Sequence, residues 1–492
     1  MASLEYRDIE KDIAVTDAPK TTTTVQATSV DHGIESSSES GLDDNYQVFK
    51  ATAGLEYTPA EARRVVRKID WRVVTVLFVT YLLQYLDKSS IFYFGYLVAQ
   101  FPASYLLQVL PIGKFVSVIT IIWGAIVLTT PGCTSFGGIA TNRFMLGLTE
   151  AAINPAFVLI MSIWYTTDEQ PLRLEAYYCT NGIATMFGSL LGYAIGHIHT
   201  GLARWMYVFI IFGGLSFFWG FVSLYLLPDQ PSTAKFLNDR EKAIAVDRVA
   251  KNRQGVRNHH FKRYQVIQCL VDPKTWILFF MSVAAQVPNA AITSFTSIII
   301  DSFGFGTLGS QYLQIPGGAV QFLSLIIGGW VCTKWPQTRC ITMTVANSIC
   351  IIGAGLLVGL PDSNNWGRLV ALWLCFFQGL SFSMALTMVS SNIAGYTKKQ
   401  LTSAILFTGY CVGNIIGPQT FIESEAPGYH SAYVAMLVGY CVKLACVVIL
   451  YIYMWRVNKA RDAAGYTNDQ DAVEAGMQDQ TEIDNLGFRY SL

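Results

Sequence analysis

The 492-residue chain has little charge. Asp, Glu, Lys and Arg together make up 14% of its residues, while 52% are hydrophobic and the mean hydropathy is +0.37. Soluble domains average about 25% charged residues, so a deficit of this size excludes an ordinary soluble protein. The apolar residues fall in runs of roughly 20, the length of an α-helix that crosses a ~30 Å hydrocarbon core. The composition therefore predicts an all-α membrane protein.

Signatures of several other classes are also lacking. The ten cysteines form no C-x-x-C pair and lie mostly in apolar runs, which favours buried free thiols over disulfides or a zinc site. No G-x-x-x-x-G-K-[ST] motif is present, so an ATP-driven pump is excluded. His197 and His199 lack a third ligand, and no nucleophile–base spacing occurs. We expect neither an enzyme nor a cofactor or metal.

The net charge and the N-terminal sequence each exclude one kind of feature. Lys plus Arg and Asp plus Glu both total 34, so the net charge points to no partner, and we expect no nucleic-acid binding. The first dozen residues have no apolar stretch, so we expect the first membrane helix, rather than a cleavable signal peptide, to direct insertion.

Apolar runs and polar stretches divide the chain into five segments. Residues 1–57 are rich in Ser, Thr and acidic residues and are expected to be a disordered cytoplasmic tail. A capping box at Thr58 and Glu61 predicts where the first helix begins. We expect six-helix halves at 58–227 and 276–455, a cytoplasmic central loop at 228–275 and a cytoplasmic tail at 456–492. Within the loop, Asn238 is predicted to cap a surface helix.

The distribution of basic residues predicts the orientation. With the N-terminus inside, most Lys and Arg residues between spans, including the basic central loop, fall on the cytoplasmic side. Two six-span halves with both termini inside form the plan of a major facilitator transporter. A twelve-helix bundle without a transport role is the alternative. The first half is the shorter one, and the shortfall lies in YLDKSSIFYFGYL (85–97), where the first two spans abut.

Charged and amide side chains inside the spans are candidates for a solute site. Arg143 and Glu150 lie seven residues apart on one helix face, ~10 Å along the axis, too far to pair directly. A solute cavity could supply partners, although pinning of neighbouring helices would also explain them. Asn181 and Asn289 are our preferred cavity-lining residues. Lys443, mid-span in the last helix, is better explained by packing or snorkelling, and the aromatic residues by contact with lipid.

Several stretches resemble the fungal anion:cation symporter branch of the major facilitator superfamily, in which the allantoate permease group is best known. They occur in family order, from about Trp71 to Arg461. They include YLLQYLDKSS (81–90), IFYFGYLVAQFPASYLLQVLPIGKF (91–115), RFMLGLTEAAINPAFVLIMSIWY (143–165), LPDQPSTAKFL (227–237), and PNAAITSF (288–295) where family members often have P-N-G-G. Members usually carry about 30 more residues between the first two stretches, which agrees with the shortfall.

The resemblance implies roles for individual residues. Arg143 and Lys88 would bind the substrate anion, and Glu150 would carry the coupled proton, with Asp87 a possible neutraliser of Lys88 that could share this role. Lys114, Lys334 and Arg339 occupy matching inner loops of the two halves and suit gating contacts to helix ends. Plain positive-inside charge explains these three equally well.

These observations predict proton-coupled import of a small organic anion, such as allantoate, nicotinate or another vitamin-like carboxylate, by alternating access. An exporter of an acidic secondary metabolite and a non-transporting sensor or inactive truncated variant are the alternatives. We expect a monomer in the plasma membrane, with the anion, protons and the lipid bilayer as its partners.

Overall fold

The computed structural model describes residues 44–52, 55–84, 90–196, 201–252, 261–426, 428–466 and 469–492. Throughout these residues the regular structure is helical. The first half and the segments around it contain α1 (Asp44–Ala51), α2 (Pro59–Leu83), α3 (Ser90–Val109), α4 (Ile112–Thr129), α5 (Phe136–Glu150), α6 (Ile153–Trp164), α7 (Gln170–Tyr178), α8 (Thr180–Gly196), α9 (Arg204–Leu226), α10 (Asp239–Ala250) and α11 (Arg263–Val271).

The second half has the same plan. It contains α12 (Pro273–Ser294), α13 (Thr296–Ile300), α14 (Gly306–Tyr312), α15 (Ile315–Lys334), α16 (Arg339–Gly359), α17 (Asn365–Cys375), α18 (Gln378–Asn392), α19 (Tyr396–Ile416), α20 (His430–Ala463) and α21 (Asp469–Met477). Counting α5–α6, α7–α8 and α17–α18 as broken single spans gives six crossings in each half.

Nine stretches of the described residues are long and apolar enough to cross a bilayer. The crossings that fall short of this test are α2, α3 and α7–α8, which are shorter or more polar. The nine stretches that meet the test expose apolar side chains, as α9 does with Phe218 and Tyr225, which are largely exposed. Such exposed apolar faces are what a bilayer would cover.

Local sequence signals account for the helix starts. The predicted capping box at Thr58 and Glu61 is confirmed, and Asn238 caps α10 with Glu241 in the same way. Within the first half, glycine sets the distance between α3 and α5. A Cβ added at Gly147 would lie 2.0 Å from the Phe92 carbonyl oxygen, so the two backbones meet at this point. Glycine is required because any side chain would push the helices apart.

The first hairpin is short, as the length of the first half predicts. Helix α2 ends at Leu83 and α3 begins at Ser90. The apolar part of α2, from Trp71 to Leu83, spans only ~20 Å at 1.5 Å per residue, less than the ~30 Å bilayer core.

Folded residues occur in both terminal segments outside the halves. The disorder expected for 1–57 is wrong over Asp44–Ala51, which forms α1 and packs against α10, because Phe49 finds apolar partners in Ala250 and Met477. The C-terminal residues 469–492 also fold, and they lie against the second half. We call the end of the bundle that carries α1, α10, α11 and α21 the terminal end, and the other the opposite end.

Candidate substrate cavity between the two halves

A cavity of about 490 Å³ lies between the halves, in the part of the bundle away from the terminal end. The first half contributes α2, α3, α7 and α8, and the second half contributes α12, α15, α18 and α19. The described residues that line it carry amide, hydroxyl and aromatic side chains, and none of them is charged. A cavity of this size fits a small solute.

Four amides of the second half form a continuous row along one wall. Gln378 Nε2 donates to Asn289 Oδ1 at 2.6 Å, and Asn289 Nδ2 donates to Asn414 Oδ1 at 3.4 Å. Asn414 Nδ2 in turn donates to Gln286 Oε1 at 3.1 Å. The Oε1 atom of Gln378 is buried and receives no hydrogen bond within the described residues. The side chains around the row therefore leave one of its hydrogen-bond acceptors unsatisfied.

Five aromatic side chains form the floor of the cavity toward the terminal end. The ring of Tyr178 lies 5.2 Å from Tyr81 and 6.4 Å from Phe382, and Tyr410 lies 5.7 Å from Phe382 and 5.9 Å from Tyr93. Tyr81, Tyr93 and Tyr178 belong to the first half, and the other two to the second. Most aromatic residues are predicted to face lipid or to lie at the bilayer surface, whereas these five rings line the cavity. The floor can open only if the halves separate.

Below this aromatic floor, hydrogen bonds join the halves at the terminal end. Gln170 Oε1 accepts from the hydroxyls of Ser390 and Ser391 at 2.7 and 2.8 Å. Gln108 Nε2 donates to Thr397 Oγ1 at 3.0 Å. Glycines bring the halves together nearer the cavity, where a Cβ on Gly182 would lie 2.5 Å from the Gly318 carbonyl oxygen. The structure is thus closed at the terminal end, with the cavity on the other side of the closure.

Arg143 and Glu150 lie behind the cavity wall. Both are buried on α5, and neither is among the described residues that line the cavity. The Arg143 guanidinium lies 4.9 Å from the ring centroid of Phe209 on α9. Glu150 lies within electrostatic range of the hydroxyl of Tyr93, a lining residue. One layer of side chains therefore separates the carboxyl from the cavity.

The other predicted binding residues divide into two groups. Asn181 and Asn289 both line the cavity, from opposite halves. Asp87 and Lys88 lie outside the described residues.

The predicted gating residues are placed differently from one another. Arg339 is buried and donates through Nη2 to the backbone oxygen of Thr167, across the interface between the halves. The Lys334 ammonium lies 4.7 Å from the ring centroid of Trp330, within its own half. The Lys114 side chain is exposed, and its backbone N–H donates to Asp229. Of these three residues, only Arg339 makes a side-chain contact with the other half.

Two buried ionisable residues were not singled out for function by the sequence. Glu175 is fully buried on α7 and accepts a hydrogen bond from Ser383 of the second half at 2.7 Å. Glu175 and Gly182 are seven residues apart and both face α15. This helical spacing is the sequence signal that could have placed Glu175 in the interface between the halves. Lys443 is fully buried, rather than snorkelling to the bilayer surface, and its Nζ lies 3.4 Å from the backbone oxygen of the cavity residue Gln378.

Comparison with known proteins gives consistent matches. Residues 69–418 match the family model of the Major Facilitator Superfamily. An uncharacterised transporter of Schizosaccharomyces pombe is 36% identical over 472 aligned positions, covering 90% of each chain. The alignment has 472 positions, which is more than the 90% of this 492-residue chain that it covers. The extra positions are gaps in this chain, so that relative carries residues that this chain lacks. The allantoate permease of Saccharomyces cerevisiae is 29% identical, covering 92% of this chain and 90% of the permease.

A solved structure has the same architecture. The proton:xylose symporter XylE superposes with a TM-score of 0.62 at 12% identity, over 78% of this chain and 95% of XylE. At this identity the likeness concerns the fold alone. It agrees with the two six-helix halves described above.

Proposed function

Because this chain belongs to the major facilitator superfamily and is a multi-pass membrane transporter, not an enzyme, we propose that it imports a small organic anion together with protons. The observation that carries the proposal is the cavity between the halves, bounded toward the terminal end by an aromatic floor and cross-half hydrogen bonds. A solute site that is closed toward one end of the bundle corresponds to one state of an alternating-access cycle.

The anionic character of the solute is supported by Arg143, which lies behind the cavity wall, and by the anionic substrate named in the permease relative. The aromatic floor and the amide row support a compact solute with a flat face and polar edges. Aromatic side chains favour stacking, and the amide side chains that line the cavity suit the polar edges of the solute. Between the two solutes predicted from the sequence, this cavity favours a ring compound such as nicotinate over the acyclic allantoate.

Coupling to protons is supported by Glu150, a carboxyl one layer behind the cavity. If one proton enters with each monoanion, the step is electroneutral and the pH gradient alone drives it, at about 1.4 kcal/mol per pH unit. A medium two pH units more acidic outside than inside would then support roughly hundredfold accumulation.

The orientation is part of the proposal. We place the terminal end in the cytoplasm, since the basic residues outside the spans concentrate there. The plasma membrane is the compartment in which an importer would act. A reporter fused after Leu492 checks the orientation, because activity of the reporter on the outer side contradicts it.

Reconstitution tests the transport proposal. Purified protein in liposomes is supplied with labelled nicotinate or allantoate under an acid-outside gradient, and nigericin collapses the gradient in the control. We expect accumulation that nigericin abolishes, with nicotinate preferred. Accumulation only under an acid-inside gradient would favour the exporter. The absence of both uptake and counterflow for every carboxylate would favour a non-transporting protein. The short first hairpin makes this the relevant second candidate.

A further inference from the structure

Glu175 has an unusual position for a carboxyl group. It lies on α7 in the first half, is fully buried, and faces the second half at the closed terminal end. Its Oε2 accepts from the Ser383 hydroxyl at 2.7 Å, while its Oε1 is buried and has no hydrogen-bond partner among the described residues. This group lies apart from the cavity, with the aromatic floor between them, and transport as proposed so far does not use it.

The helix opposite is shaped to receive this side chain. Gly329 on α15 lies so close that a Cβ there would be 2.9 Å from the Cβ of Glu175. Glycine thus lets the carboxyl lie flat between α15 and α18, where a larger residue would exclude it. The carboxyl therefore occupies a fitted place in the interface.

Among the residues that the structure describes, none supplies a counterion for the carboxylate. The titratable groups nearest to it are Tyr177, Cys179 and, on α15, Cys332. The nearest cations are engaged elsewhere: Arg173 pairs with Asp70 of α2 at 2.7 Å, and Arg339 of α16 lies beyond Cys332 and donates to Thr167. The Lys334 ammonium is exposed and lies over Trp330.

An ionised carboxylate at this position would be costly. Burying a carboxylate without a cation carries an effective penalty of several kcal/mol, whereas a protonated carboxyl with one hydrogen bond carries a much smaller one. Separation of the halves at this end would bring water to Glu175, and the carboxyl would then ionise at neutral pH. Closure of the interface and protonation of Glu175 are therefore linked equilibria.

We propose that Glu175 is a proton-controlled lock on the terminal end. The protonated carboxyl stabilises the closed interface, and when the halves part its proton passes to water on the terminal side. The sign of the effect follows, since the closed form holds the extra proton: low pH favours closure and rising pH favours opening. The inference rests on the proposed function only in requiring that the halves separate at this end.

Spin labels on the two halves can measure the separation. Arg67 of α2 and Pro336, just after α15, are both exposed and are replaced by cysteine. The three cysteines that are not buried (Cys133, Cys441 and Cys446) are replaced by alanine. Distances are recorded by double electron–electron resonance in liposomes at pH 5.5 and pH 8, without substrate. We expect a short distance at the lower pH and a growing long component at the higher pH, by at most about tenfold in the open-to-closed ratio per pH unit.

Three variants make the test specific. Glu175→Gln imitates the protonated form and should keep the short distance at both pH values, whereas Glu175→Asp retains a carboxyl and should still respond. Glu169→Gln is the matched control, because it removes a carboxylate six residues away that pairs with Arg248 rather than facing the second half. It should respond as the wild type does.

The proposal is overturned if Glu175→Gln responds to pH like the wild type, or if the wild type itself does not respond. A response that is also lost in Glu169→Gln would overturn it as well, since the effect would not be specific to Glu175. Because no solute is present, a failure to transport any anion would count against the proposed function alone.

Discussion

The two halves share a six-helix plan but differ in the polar chemistry that they place near the cavity. The first half holds ionisable groups behind its wall, namely Arg143 and Glu150 on α5, with Glu175 at the closed end. The second half lines the cavity with neutral amides in one hydrogen-bonded row, and its buried Lys443 lies behind that row. The difference suggests a division of labour in which the first half handles charge and protons and the second half recognises the solute.

The first half should be the more sensitive to loss of charge. Arg143→Ala should lower anion affinity by up to roughly two orders of magnitude, because losing one member of a desolvated charge pair in direct contact costs about 2–5 kcal/mol and Arg143 acts from behind the cavity wall. The loss should be equal at both pH values, because the substitution leaves the coupling carboxyl of Glu150 in place. Arg143→Lys should retain weak, partial function, since a point charge cannot reproduce the guanidinium fork. Uptake of labelled anion at two outside pH values measures both, and normal affinity in the alanine variant would remove Arg143 from the binding site.

The second half should lose recognition without losing coupling. Asn289→Leu removes a partner from both Gln378 and Asn414, and each unsatisfied buried group costs about 1–3 kcal/mol. We expect affinity to fall about tenfold, with the pH dependence of uptake unchanged. Asn347→Leu is the control, because Asn347 is buried in the same half but donates to the Tyr440 backbone, away from the cavity. An altered pH profile in Asn289→Leu would contradict the division of labour.

The C-terminal segment, residues 469–492, stabilises the second half at the terminal end through buried ion pairs. Glu482 is fully buried and pairs with Lys274 at 2.7 Å and with Lys398. Burial raises the pKa of this carboxyl, but the charges of Lys274 and Lys398 outweigh burial and lower the pKa of Glu482 to about 2. Because the folded pKa is lowered, this stabilisation is present above the usual pKa of about 4.3 and is lost as the pH falls from there toward the folded value.

Glu482→Gln leaves two lysines with only Asp272 as a carboxylate partner, and breaking a buried pair costs about 3–5 kcal/mol. We expect an apparent melting temperature several degrees lower at pH 7, with near-normal substrate affinity in the protein that remains folded. Glu474→Gln, at an exposed position on α21, should melt as the wild type does. Equal melting temperatures of the two variants would show that the C-terminal segment does not stabilise the second half.

Sequence alone predicted the features that depend on pattern. Hydrophobic runs predicted two six-helix halves, and capping boxes predicted the helix starts after Thr58 and Asn238. Asn181 and Asn289 were predicted to line the cavity because an amide in an apolar span needs a polar neighbour.

Features that depend on helix rotation and tertiary contact could not be predicted. The spacing of Arg143 and Glu150 predicts a shared face, but whether that face meets the cavity depends on how α5 packs against α3 through Gly147. Glu175 lies on α7, near the terminal end of the crossing that α7 and α8 form, where a carboxylate normally faces water. The folding of residues 469–492 depends on Glu482 meeting two lysines that are distant in sequence, and local composition carries no sign of that.

The division of labour is tested most directly by comparing counterflow with pH-driven accumulation in liposomes that contain Glu150→Gln or Asn289→Leu. Counterflow needs binding and alternation, whereas accumulation against a gradient also needs the proton. Glu150→Gln imitates a carboxyl that never releases its proton, so it should retain counterflow and lose accumulation. Asn289→Leu should lower both in parallel. Accumulation by Glu150→Gln with a normal pH dependence would mean that the proton is carried elsewhere, and would contradict the assignment of coupling to this residue of the first half.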